Sequence, residues 1–292
     1  MIIVRLMGGL GNQLFQYAFG LNLSKIMRQE IYFDIGFYES QDKRSYMLNK
    51  LGINVNTAPV QECRYAGSPE FIINKLLVKL NLRKFFLPGL IIEQKLFSFE
   101  DFNNHRNHHN MFFWGYWQNL NYVDPILKIL QKNFIQENYF ALNKQREILP
   151  LSLDNACCVH VRRGDYANDP AIMQRHLTCD TNYYKTAIAK LKSAGIENFF
   201  FFSDDIHWSK DNFGHIENAY FMEGQRSEIE DFFTMVHFKN FVLSNSTFSW
   251  WAAKLCMEDD IKYVVYPEMW QANLKTADLN LSLGCEDKRF IF

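Results

Sequence analysis

Apolar positions along this chain change period in blocks, and each block predicts an element. Met1 to Leu6 is an apolar run broken only at Arg5, the pattern of a buried strand. Leu14, Ala18 and Leu21, beside Phe15, Phe19 and Ile26, recur at helical spacing, and Ile31 to Ile35 returns to a strand. Met111 to Tyr116 reads as another strand. From Ala156 the alternation becomes regular, with strands at Ala156–Val161, Phe199–Ser203, Ala219–Met222, Phe241–Ser244 and Tyr263–Tyr266. Helical stretches fill the gaps. One follows Asp180-Thr181, buries Tyr184, Ile188 and Leu191 and ends at Gly195. Another opens at Ser227 with a capping box to Glu230 and buries Ile229, Phe233 and Val236. Strand–helix alternation of this kind predicts a parallel, doubly wound α/β sheet. Leu149-Pro150 breaks the preceding helix, which sets a domain boundary near 145–155: residues 1–150 and 151–292.

Composition narrows the class. A chain of 292 residues is large for one core and fits two domains. With 48% hydrophobic and 22% charged residues it is globular, and a net charge of -1 argues against a nucleic-acid partner held by counterion release. The six cysteines (Cys63, Cys157, Cys158, Cys179, Cys256, Cys285) form no C-x-x-C pair and no metal-ligand spacing, as in a reducing compartment. The opening strand has no secretory-leader pattern, and no window approaches about 20 apolar residues, so a cytoplasmic protein is expected. Ile72 to Leu82 forms an amphipathic helix with Lys75, Lys79, Arg83 and Lys84 on and beyond its polar side, followed by Phe85, Phe86 and Leu87. Two readings stay open there: a solvated basic face, or a patch for peripheral contact with the inner membrane. His105, His108 and His109 sit in a polar segment whose spacing fits no standard zinc site.

Chemistry gathers at strand ends. Between the first strand and its helix lies Gly8-Gly9-Leu10-Gly11-Asn12-Gln13, where backbone N–H groups can meet an oxygen-rich ligand. The third glycine of a dinucleotide fingerprint would fall at Leu14, and no Walker A lysine follows. Trp114, Tyr116, Trp117 and Gln118 close another strand, as in a sugar site, although a half-buried strand end reads the same. In the second half, Arg162-Arg163-Gly164-Asp165, Ser203-Asp204-Asp205, the run Ser244 to Trp251, and Pro267-Glu268 all follow strands. In an open α/β sheet that edge takes the ligand, and arginine forks match phosphate oxygens. Two arginines, hydroxyls, an amide and acids there suit a nucleotide diphosphate.

These residues carry a resemblance. GGLGNQLFQYAFG (8–20), GYWQ (115–118), HVRRGDY (160–166), FFSDD (201–205) and SNSTFSWWAA (244–253) resemble, in the same order, the bacterial α-1,2-fucosyltransferases of glycosyltransferase family eleven. The resemblance implies a GT-B fold of two Rossmann-like domains facing across a cleft, GDP-fucose as donor, inversion at the anomeric carbon and no required metal or cofactor. It implies a galactose-terminated oligosaccharide or lipid-linked glycan as acceptor, fucosylated at its 2-hydroxyl during surface polysaccharide synthesis. Residues 1–150 become the acceptor side and 151–292 the GDP-fucose side. Within 54 to 110 the correspondence is weakest.

On this reading Arg162 clamps the β-phosphate as charge builds on it, Arg163 braces the loop or holds a second oxygen, and His160 shapes the strand end. The arginine roles can be exchanged. Asp204 and Asp205 receive guanine or ribose donors; Gly9, Gly11, Ser203, Asn245, Ser246, Thr247 and Phe248 complete the donor side. Asn12 matches an asparagine that reaches the reaction centre in protein O-fucosyltransferases. A general base is not evident: Asp165, beside two arginines, should be a weak one. Competing readings are a nicotinamide oxidoreductase, a transferase using another nucleotide sugar, and a binding protein built on Trp114, Trp117, Trp250 and Trp251.

Overall fold

The computed structural model describes residues 1–39, 44–63, 76, 90–93, 111–150, 152–163, 178–257, 261–271, 274–281, 283 and 289–291. The helix expected over residues 72–82, Leu76 apart, lies outside the described residues, as do His105, His108, His109, Gly164, Asp165, Tyr166 and Cys285. By its internal contacts the chain divides into two compact units, Met1–Leu130 and Gln131–Phe292.

In the first unit, strands β1 (Ile2–Arg5), β2 (Ile31–Asp34), β3 (Leu90–Ile92) and β4 (Met111–Trp114) form a parallel sheet in the order β2-β1-β4-β3. Helix α1 (Leu10–Met27) follows β1, and Leu14, Phe15, Ala18 and Phe19 pack fully into the core. Its buried amides are all used. Gln13 donates to the carbonyls of Gly8 and Ser45 and accepts from the Met47 N–H. Gln16 accepts from the Met7 N–H and donates to the Gly115 carbonyl, tying the loops after β1 and β4 together. Because every strand is parallel, every C-terminal end opens on one edge. That edge carries Gly8, Asp34, Glu93 and the segment Gly115 to Gln118. Short helix α2 (Leu120–Val123) follows, and α3 (Leu127–Glu137) carries the chain past the division.

The second unit contains α4 (Tyr139–Arg146), β5 (Ala156–Val161), α5 (Thr181–Ser193), β6 (Asn198–Ser203), α6 (Ile206–Phe213), β7 (Ala219–Phe221), α7 (Glu228–Met235), β8 (Asn240–Val242), α8 (Thr247–Lys254) and β9 (Tyr263–Tyr266). A small antiparallel pair, β10 (Met269–Gln271) with β11 (Leu274–Lys275), precedes β12 (Arg289–Ile291). The main sheet is parallel, in the order β12-β9-β8-β5-β6-β7. Chain order runs outward from β5 on one side and from β8 on the other, so the β5–β8 boundary is the topological switch point. The division before residue 131 precedes the 145–155 boundary read from the sequence. The reason is packing: Thr234 Oγ1 of α7 donates to Gln145 Oε1 of α4, and Phe134 lies against Phe232 and Phe233. The capping box of Ser227 and Glu230 is formed; Phe232, Phe233 and Met235 are buried beneath it, while Ile229 is only part-buried. Among the described residues no helix is long and apolar enough to cross a membrane.

Candidate functional site

At the end of β5 the paired arginines are held by the two acids that end β6. Arg162 Nη1 lies 2.9 Å from Asp204 Oδ2, while the Arg163 N–H donates to Asp204 Oδ1 at 2.8 Å. Asp205 Oδ2 stands 3.6 Å from Arg163 Nε, and Oδ1 accepts the Trp208 N–H as N-cap of α6. The Arg163 guanidinium carbon lies 4.0 Å from the Trp208 ring centroid, so the planar group is flanked by a ring and a carboxylate. Ser203 Oγ accepts the Asp205 N–H at 2.9 Å. Asp204 and Asp205, read from the sequence as partners of guanine or ribose, contact the arginines and the start of α6 here.

Across the switch point, His160 Nδ1 lies 2.8 Å from Ser244 Oγ, and its ring packs against Phe248. Burial, with the Arg162 charge nearby, pulls the His160 pKa down to about 3, so the ring is neutral at pH 7. It joins β5 to the β8 end. Asn245, expected at the nucleotide, is buried and donates to the Trp270 carbonyl. Ser246 is the N-cap of α8 but makes no side-chain cap bond, and Thr247 and Phe248 open the helix part-exposed. First-turn N–H groups at such a helix end form a ready anion site. Trp250 and Trp251 are both core residues, and Trp250 Nε1 donates to the Leu281 carbonyl.

In the first unit, Gly8 has φ +81°, and a Cβ there would come within 2.6 Å of Asn12 Nδ2. Gly9 is the extended N-cap of α1, without a side chain to cap it, and Gly11 is buried in the first turn. Of the three glycines only Gly8 and Gly9 reach the surface. Asn12 Oδ1 accepts Gln118 Nε2 at 3.0 Å, bringing the ends of β1 and β4 together. Trp114 lies under the Arg5 guanidinium, 4.5 Å from ring centroid to Cζ, and Arg5 pairs with Asp34 at 2.5 Å. Tyr116 is exposed. Trp117, expected to bind the acceptor, is fully buried and stacks on Phe19 at 4.0 Å between centroids. An aromatic spent on the core cannot stack on a sugar, so that assignment is corrected.

Sequence reasoning missed Glu93. It follows β3 directly, and its Oε2 accepts the Tyr116 N–H at 2.5 Å, with the Trp117 and Gln118 N–H groups bonded to the same carboxylate. Burial pushes its pKa up to about 7 against the lowering by those N–H groups. The signal available was an acid closing the short apolar run Leu90–Ile92, as Asp204 closes β6.

Two Rossmann-like units, each a parallel sheet with alternating helices, are the architecture of the GT-B class. The chain belongs to glycosyl transferase family 11, whose profile matches residues 1–279. Among curated proteins it is 31% identical over 301 residues to an alpha-1,2-colitosyltransferase of Escherichia coli, covering 98% of this chain and 97% of that one. It is 28% identical over 301 residues to the O-antigen biosynthesis glycosyltransferase WbnK of Escherichia coli, covering 94% and 97%. Among solved structures, a mutant of Arabidopsis thaliana FUT1 in complex with GDP is similar in fold with a TM-score of 0.53 at 11% identity, over 87% of this chain and 68% of that one.

Proposed function

We propose that this enzyme transfers L-fucose from GDP-fucose, with inversion, to the 2-hydroxyl of a galactose-terminated glycan, giving an α-1,2 linkage within a surface polysaccharide such as O-antigen. The observation that carries this reading is the arginine pair at the switch point, braced by Asp204 and Asp205. The acceptor hydroxyl oxygen bonds to the anomeric carbon as the bond from that carbon to the β-phosphate oxygen breaks; the phosphate takes the electron pair, and the hydroxyl proton is released to water. Arg162, with one edge fixed by Asp204, meets that growing charge without having to reorganise. The uncapped start of α8, with Ser246 and Thr247, supplies further N–H and hydroxyl donors to the diphosphate. The second unit is then the donor side, and the first, through Asn12, Tyr116 and Gln118, the acceptor side. The place of work is the cytoplasm, at the inner membrane face when the acceptor is lipid-linked; the basic and apolar side chains of residues 72–87 support that contact in the sequence.

A second reading has an observation of its own. The relative at 31% identity is named a colitosyltransferase, and colitose is fucose without its 3-hydroxyl. Purified protein should be given GDP-fucose and GDP-colitose in parallel, with a panel of galactose-terminated acceptors, and the product linkage read by NMR. Preference for GDP-fucose and an α-1,2 product are expected; turnover with GDP-colitose alone overturns the donor assignment. Activity should persist in excess EDTA, because Asp204 and Asp205 already face arginines. Loss on chelation, restored by Mg²⁺ or Mn²⁺, would make those acids metal ligands.

A further inference from the structure

We propose that Glu93 is a positioning residue of the acceptor side: its carboxylate gathers the backbone N–H groups of Tyr116, Trp117 and Gln118 and so sets the Gln118 amide onto Asn12. The proposal rests on the acceptor-side reading of the first unit. Three independent ties hold this loop. Gln16 donates to the Gly115 carbonyl, the Trp117 ring is locked against Phe19, and Glu93 takes the N–H groups that follow. Trp117 is held at φ 56°, a left-handed conformation that a bulky residue adopts only when its surroundings fix it. Gly115 is required by the same arrangement, since a Cβ there would lie 2.3 Å from Glu93 Cβ. What the loop then presents is the exposed Tyr116 ring and the Gln118 amide bonded to Asn12.

A carboxylate withdrawn from water costs the fold stability whenever it is ionised. Glu93 is therefore a poor choice for stability and a good one for collecting several N–H donors at one point. An amide of the same size keeps one accepting oxygen but puts an NH₂ donor, never an acceptor, at the other, so it gathers the three N–H groups less well than the ionised carboxylate.

The test compares wild type with Glu93→Gln, Glu93→Asp and Gln118→Ala. Four readouts are taken: GDP affinity by calorimetry, GDP-fucose hydrolysis without acceptor, kcat and KM for transfer to N-acetyllactosamine, and amide exchange at residues 116–118. For Glu93→Gln, kcat/KM for the acceptor should fall about tenfold or more, as expected when a contact group is displaced by a fraction of an ångström. GDP affinity and hydrolysis should stay within about twofold, and exchange at 116–118 should quicken; Gln118→Ala should copy the acceptor defect. Glu93→Asp, one methylene short, should fall between. A purely structural role would lower the melting temperature without dividing acceptor from donor kinetics. Unchanged acceptor kinetics, or GDP affinity falling in step with them, overturns the proposal. Should wild type transfer neither sugar, the functional reading fails by itself, and unchanged exchange in Glu93→Gln then overturns this one. If neither Glu93 variant folds, a normal acceptor KM in Gln118→Ala does so.

Discussion

A guanidinium clamps phosphate well only when its fork is already held. Asp204 does this for Arg162 with one oxygen, while its other oxygen holds the Arg163 backbone and Asp205 faces the Arg163 guanidinium. Arg162→Ala should therefore lower turnover by about 10²–10³ or more and greatly weaken GDP binding, with the circular dichroism spectrum unchanged. Arg162→Lys should fail as well, because a point charge cannot copy a bidentate fork. Wild-type rates in either variant would remove Arg162 from the site. Trp117 leads to the opposite expectation from its neighbours in the sequence. With its ring in the core, Trp117→Ala should cost about 3–5 kcal/mol, read as a large drop in melting temperature. A raised acceptor KM at unchanged melting temperature would return Trp117 to the glycan. From the sequence alone, Trp114, Tyr116 and Trp117 were indistinguishable, since aromatics ending a strand look alike whether they face core or solvent. Burial separates them: Trp117 inside, Trp114 under Arg5, Tyr116 outside. The same burial of Trp250 and Trp251 removes most of the ring surface on which a purely sugar-binding protein would rely.

Elements were legible where an apolar run ended in polar chemistry. β5 and β9 match their sequence bounds, and β6, β7 and β8 lie within one or two residues of theirs. β3 was not legible: Leu90–Ile92 is three residues long, too short for its period to mark a strand. Without β3 the one signal for Glu93, an acid closing a short apolar run, carried no weight. The arginine loop and the glycine loop were found because strand-end position and residue type pointed the same way; the braces were not, since pairing is a property of neighbouring strands. The glycine loop also shows how one element positions a residue of the next. Gly8→Ala puts a side chain into a left-handed conformation and drives its Cβ into the Asn12 amide. The asparagine must move, breaking its bond with Gln118. Expected are a kcat loss of about tenfold or more and an unchanged GDP dissociation constant, as for Asn12→Ala, since an interaction made at the transition state is what disappears. GDP affinity lost in step with kcat would assign the loop to the nucleotide instead.

For the whole molecule, part-buried Glu93 and buried His160 are titratable groups of opposite habit in different units, and acid should act on the units in opposite senses. Glu93 in the first unit has its pKa raised to about 7 by burial. The folded state then holds a proton that the unfolded chain releases above its ordinary value near 4.5, so this group's contribution is present at low pH and lost as pH rises to about 7. His160 in the second unit has its pKa lowered to about 3, again by burial first. There the unfolded chain binds the proton, and stability is lost as pH falls from about 6.5 toward 3. Each slope approaches about 1.4 kcal/mol per pH unit within its window. Between about pH 4.5 and 6.5 the two slopes have opposite sign, so a molecule unfolding as one cooperative body would show little net change from this pair. Comparison with variants separates them. Relative to Glu93→Gln, wild type should gain stability as pH is lowered from 7 to 4.5, and relative to His160→Asn it should lose stability from 6.5 downward. Calorimetric melting at half-unit pH intervals reads both differences. A wild-type-minus-Glu93→Gln difference that stays flat, or that falls on acidification, would mean that Glu93 is ionised in the folded protein at acidic pH. The three N–H bonds would then outweigh its loss of water.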